Sequence, residues 1–118
     1  MSHRFVTLAR QGAVRVIALA LPEQLESSEF DTLNDVVRRT IAEAPAGAWV
    51  LDLTEVNYMG SSVLGLMVNV RQTVKSAGGT LVLAGLSPRL SEIFRACSLQ
   101  QLFTITRLRD EAVRRATP

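Results

Sequence analysis

"AWVLDLTEVNYMGSSVLGLMVNVRQTVKSAGGTLVLAG" spans Ala48–Gly85, and its hydrophobic rhythm changes twice. "AWVLDL" (Ala48–Leu53) is a short, almost unbroken apolar run, the pattern of a strand covered on both faces. "TEVNYMG" (Thr54–Gly60) reads as a turn. From Ser61 onward the apolar residues take a helical period. At ~100° per residue, with Val63 set to zero, Met67, Val70 and Val74 cluster near it and Leu66 lies beside them. This stripe predicts a helix opened by Ser61 and Ser62. It runs to about Ala77 and stops at Gly78-Gly79, where left-handed backbone is easy. "TLVLAG" then returns to a buried strand.

The flanks extend the same alternation. "RFVTLAR" and "AVRVIALAL" surround Gln11-Gly12 and predict a hairpin, Arg4–Ala9 and Ala13–Ala20. Ser28 and Asp31 have capping-box spacing, and Phe30, Leu33, Val37 and Ile41 follow at helical intervals. "EAPAG" ends that helix. Ser87-Pro88 opens another, Pro88–Ala96, with serine as N-cap and proline in the first turn. "LFTIT" (Leu102–Thr106) is a last short strand, and "RDEAVRRA" a final short helix. The order β-β-α-β-α-β-α-β-α predicts an α/β fold with a mixed, mostly parallel sheet of four to five strands. An antiparallel hairpin forms one edge. No repeat or linker interrupts the 118 residues, so a single domain, 1–118, is expected.

Composition narrows the function classes. The chain is 47% hydrophobic and 20% charged, with a formal net charge of +2, as in an ordinary globular domain. Cys97 is the only cysteine, so an internal disulfide is excluded. No signal core or membrane-spanning run is present, which points to the cytoplasm and against membrane insertion. Arg107, Arg109, Arg114 and Arg115 crowd the C-terminus. The six aromatics (one Trp, one Tyr, four Phe) do not interleave with them as a nucleic-acid stacking platform requires. The arginines read as a solvated helix face. His3 is the only histidine, and no Ser/His/Asp set, Cys/His pair, metal-ligand cluster or phosphate-binding glycine loop occurs. Asp52 and Glu55 near a strand end read as turn or surface acids. A non-enzymatic binding or switching module without cofactors is expected.

The double serine is the feature left over. On the wheel Ser61 falls nearly opposite the core stripe, with Leu64, Gly65 and Val68 on its general side. Ser62 falls on the other flank, toward Leu66 and Asn69, so Ser61 is the more outward of the two. Spacing alone favours plain N-caps. A helix N-terminus also suits a phosphate, through its free N–H groups and dipole. Leu64 and Val68 either pack under a neighbouring helix or form an apolar partner surface beside Ser61. Gly65 either allows tight packing within the domain or lets a partner's backbone approach.

Five elements recur together in a known family: the strand Val50–Leu53, "GSSVLG" (Gly60–Gly65), Gly78-Gly79, Ser87-Pro88, and Leu102-Phe103. The chain thereby resembles the STAS domain, the sulfate-transporter and anti-sigma-factor-antagonist family, most closely from Trp49 to Ile105. The resemblance implies a mixed sheet with helices packed largely on one side. It also implies an anti-anti-sigma type of switch. Such a protein binds an anti-sigma factor that is often a serine kinase, is phosphorylated by it and released, and is reset by a phosphatase. The family's acceptor serine, directly after the aspartate of its usual "DSSGLG", corresponds to Ser61, with Ser62 as the helix-capping neighbour. Gly60, Ser61, Ser62, Leu64, Gly65 and Val68 are then the expected partner-binding residues. Two positions depart from the pattern: Gly60 replaces the aspartate, and Val63 replaces the glycine after the serines. "ALPEQLESS" stands where a "GELD"-like stretch is usual. The alternatives are an unphosphorylated STAS scaffold or accessory subunit of a signalling or transporter complex, and a small module for nucleotide or lipid.

Overall fold

The computed structural model describes residues 3–118. Its elements run β1 (Val6–Gln11), β2 (Val14–Ala20), α1 (Ser27–Ala42), β3 (Ala48–Glu55), α2 (Ser61–Ser76), β4 (Thr80–Ala84), α3 (Pro88–Ala96), β5 (Thr104–Thr106) and α4 (Arg109–Ala116). The five strands form one sheet in the order β1-β2-β3-β4-β5. β1 and β2 are antiparallel, and every later pairing is parallel.

Alternation along the strands builds two cores. Ile17, Leu19, Trp49, Leu51, Leu53 and Leu83 point to one face, where α1, α2 and α3 contribute Leu33, Val37, Ile41, Val63, Met67, Leu90 and Phe94. Val14, Val16, Val50, Val82 and Ala84 point to the other face, which α4 covers with Ala112 and Ala116. Helices therefore pack largely on one side, and the shortest one closes the back. Burial on both faces explains why β3 reads as a continuous apolar run: its first six residues are all buried.

Several boundaries differ from the sequence reading, each for a local reason. The hairpin turn is Gly12-Ala13, with Gln11 still paired to Val14. Gly12 has φ 62°, a conformation that a two-residue hairpin favours at its first position and glycine adopts without strain. Helix α1 begins earlier than the Ser28–Asp31 spacing suggests. The Glu29 carboxylate accepts from the Glu26 N–H at 3.0 Å, so this pair, and not the serine, marks the N-terminus. Leu102 and Phe103 lie outside β5. The Leu102 N–H donates to Leu99 O and its carbonyl accepts from Arg71 Nε, which leaves nothing for a sheet ladder.

Asp52 is not a surface acid. It is 7% exposed at the C-terminal end of β3. Its Oδ1 accepts from the Thr54 N–H at 3.0 Å and the Thr54 hydroxyl at 2.5 Å. Its Oδ2 accepts from Arg109 Nε at 2.7 Å. This clasp ties the start of α4 to the central strand. Gly85 approaches the same place: a Cβ there would strike the Thr54 hydroxyl, and its φ of 79° is left-handed.

Burial raises the Asp52 pKa, but the Thr54 bonds and Arg109 outweigh it, so the carboxyl lies below its usual range. A depressed folded-state pKa contributes stability that is complete above the unfolded value, near ~3.9. That contribution is lost as pH falls through the folded value. Asp52→Asn should therefore cost about 1–3 kcal/mol at neutral pH. It should also flatten the decline in stability below about pH 4, both read from urea melts across pH.

Candidate functional site

The route from β3 into α2 is held by two buried side chains. Val56 and Met59 are 1% and 2% exposed and join the three-helix core. Asn57 and Tyr58 between them turn outward. The chain reaches Gly60 in extended geometry, φ −78° and ψ 177°, and Gly60 is the N-cap of α2. The Leu64 N–H donates to Gly60 O at 3.0 Å as the first helical bond.

This placement corrects the capping expectation. Ser61 and Ser62 are the first two helical residues, and no side chain caps α2. Helical dihedrals aim their hydroxyls away from the first N–H groups, and the residue in the cap position has no side chain. Those first-turn N–H groups thus keep their capacity for an outside acceptor.

The stripe of α2 matches its sequence: Val63, Leu66, Met67, Val70 and Val74 are buried. Ser61 and Ser62 are both exposed. Leu64 is half-buried against the core, and Val68 is half-buried one turn on. Gly65 is exposed, and a Cβ built there meets nothing within 4 Å. Packing inside the domain therefore does not explain this glycine. In a helix interior it costs about 1 kcal/mol relative to alanine, and no intramolecular contact offsets that.

A cleft of about 330 Å³ opens beside the serines. Leu21, Leu25, Phe30 and Val63 are among its apolar lining, and Ser61, Ser62 and Tyr58 stand at the N-terminus of α2. Its charged lining residues, Glu23 and Asp31, are both acidic. At the rim Arg89 pairs with Glu23, and its guanidinium lies 5.1 Å from the centroid of the Tyr58 ring. Glu23, Tyr58 and Arg89 escaped the sequence reading, and Asp31 entered it only as a capping partner, since each comes from a different segment. One signal was available: Arg89 places a cation in the first turn of α3, against the helix dipole. Among the described residues, no three His, Cys, Asp or Glu side chains are grouped to hold a metal ion. Among them, too, no helix is long and apolar enough to cross a membrane.

The STAS domain family model matches residues 7–112. The chain belongs to the STAS domain family. An anti-sigma-B factor antagonist of Listeria monocytogenes is 38% identical over 61 residues, which cover 52% of this chain and 54% of that protein. The match thus spans about half the length of the curated relative. Among solved structures, an anti-sigma-factor antagonist STAS domain protein from Planctomyces limnophilus has a TM-score of 0.74 at 21% identity, covering 95% of this chain and 97% of that one. The Bacillus cell fate determinant SpoIIAA, in its phosphorylated form, has a TM-score of 0.68 at 18% identity, covering 95% and 99%. These two likenesses carry the fold. Within this STAS domain the glycine-rich start of α2 invites two substitutions. Gly60→Asp fits: φ is negative and the nearest atom to a Cβ is Tyr58 Cε2 at 4.0 Å. As a true N-cap it should add a few tenths of a kcal/mol. Gly65→Ala should add about 1 kcal/mol. Paired urea melts against the parent check both.

Proposed function

We propose that this STAS domain is an anti-sigma factor antagonist. It binds an anti-sigma factor or serine kinase in the cytoplasm through the start of α2, and phosphorylation of Ser61 ends the binding. A phosphatase would restore the bound state. The observation that carries this reading is the exposed Ser61 at an uncapped helix N-terminus, beside Leu64, Gly65 and Val68. Family membership and the name of the Listeria relative support it. Gly65 fits the same reading: an exposed helical glycine without an internal contact leaves room for a partner's backbone.

The two effects of a charge at Ser61 differ in size. At the exposed helix terminus a negative group is mildly favourable, by ~0.3–1 kcal/mol. Pressed into an apolar contact near Leu64 and Val68, the same group is desolvated without a partner, at a cost of several kcal/mol. Each ~1.4 kcal/mol is tenfold in affinity.

Gly60 favours a second reading, since it removes the carboxylate that the family carries before the acceptor. On that reading the domain is a constitutive scaffold or accessory subunit that is never phosphorylated. Pull-down from the native cell identifies the partner, and incubation with ATP and that kinase tests the acceptor. Mass spectrometry should find one phosphate, on Ser61. A phosphate on Ser62 or Ser87 would refute the register, and none at all with an active kinase would favour the scaffold. Ser61→Asp should melt within about 1 kcal/mol of the parent yet bind the partner at least about tenfold more weakly. Unchanged binding, or binding lost through melting, would sink the mechanism.

A further inference from the structure

A phosphate on Ser61 would enter unfavourable surroundings on its open side. The charged residues lining the adjacent cleft, Glu23 and Asp31, are both carboxylates. A phosphoserine brings a further charge of about −1.5 to −2 at neutral pH. Like charges gathered in one cleft repel unless a cation intervenes. Arg89 brings a cation to the rim from the first turn of α3, through its contacts with Glu23 and Tyr58.

Its position is locally costly. A cation at a helix N-terminus opposes the dipole, and α3 has no acid in its first turn to compensate. Arg89 is instead held by residues of two other loops. It pairs with Glu23 from the β2–α1 connection and lies over the Tyr58 ring from the β3–α2 connection. Tyr58 connects this place to the residue before the acceptor: its Cε2 lies 4.0 Å from where a Cβ on Gly60 would stand, and it lines the same cleft as Ser61. The Arg89–Glu23 pair is weakly committed, because the two side chains are 52% and 57% exposed. Aromatic stacking holds the guanidinium plane near the cleft without using its donors.

We propose that Arg89 is the residue that receives a phosphate placed on Ser61, exchanging its bond to Glu23 for one to the phosphate. This rests on the reading of Ser61 as the phosphoacceptor. A dianionic phosphate outcompetes a single carboxylate, and the guanidinium fork can meet it with two N–H donors. Glu23 is released in the exchange. The cleft rim then changes from a neutral pair into a carboxylate beside an occupied arginine. The modification is thereby read by the β2–α1 connection and the first turn of α3 as well as by α2.

The test places phosphoserine at position 61 during translation, so no kinase is involved. Phosphorus NMR then follows its second ionisation at low salt. In the otherwise unaltered chain the phosphate should titrate at lower pH than in the Arg89→Gln background, by roughly half a unit or more. Arg89→Lys keeps the charge and should retain part of that difference. Glu23→Gln removes both the competitor and a carboxylate, and should lower the titration further. Amide spectra of each variant establish that the fold is intact, as expected for substitutions at exposed side chains. Identical titrations with and without Arg89→Gln overturn the proposal, as does a titration that Glu23→Gln moves to higher pH. A kinase that leaves Ser61 unmodified overturns the proposed function instead, and leaves the NMR comparison as it stands.

Discussion

The burial of Val56 and Met59 fixes where α2 begins. Both side chains are sealed into the core between the sheet and its three helices, and a packed core leaves little slack for the short turn that they bracket. Gly60 therefore enters the helix at one angle, and the serines follow at one position. Tyr58, lying between the two anchors, has no room inside and stands 36% exposed. Because β2, β3 and β4 run parallel, their outgoing loops must leave from the same edge of the sheet. That edge is where ligands gather in open α/β sheets. Glu23, Tyr58, Ser61 and Arg89 thus meet through topology, although they are far apart in the chain.

The opposite face is built for a different task. There Asp52 joins β3 to α4 through Arg109, with Thr54 completing the carboxylate's hydrogen bonds. A buried carboxylate with three donors is costly to leave half-satisfied, so the clasp holds the last helix in one place. It also uses Arg109, and Arg107 lies before α4, so the C-terminal arginines do not form one solvated helix face. Arg114 and Arg115 lie in the last turn of α4, where cations suit the dipole. The polar clasp and the serine cleft lie on opposite sides of β3. An event at Ser61 can therefore alter the surface without loosening the fold.

How much of this was legible in the sequence depends on the range of the interaction. The alternation of Trp49, Leu51 and Leu53 against Val50 is a local pattern, and it gave away a strand buried on both sides. The Val63–Val74 stripe is equally local. Capping was ambiguous because Glu26–Glu29 and Ser28–Asp31 share the same spacing, and only packing selects between them. The two serines misled for a related reason. Serine is a good N-cap, but the buried Met59 sets the helix start one residue earlier, at a glycine. Leu102 looked like a strand residue until Arg71, distant in sequence, took its carbonyl. The Asp52–Arg109 and Glu23–Arg89 pairs leave no periodic trace at all. Their only local mark is a residue that seems misplaced, such as a buried acid or a cation at the wrong end of a helix.

Neither Gly60 nor Gly65 is required by a positive φ, and neither Cβ would meet a close neighbour. Both positions are therefore less stable than the fold permits, one for want of a cap and the other for want of helix propensity. Folding alone does not call for glycine at either position, since either substitution is available without strain. What both glycines leave behind is open space around Ser61: an uncapped turn on one side and a bare stretch of helix on the other. A side chain at position 60 would compete for the same N–H groups as a phosphate. One at position 65 would hold a partner's backbone away. On the proposed function, the missing side chains leave the start of α2 open to two occupants, a phosphate at its amides and a partner along its exposed flank. On that reading both occupants would meet at Ser61, so filling one site would disfavour the other, which is the physical content of a switch.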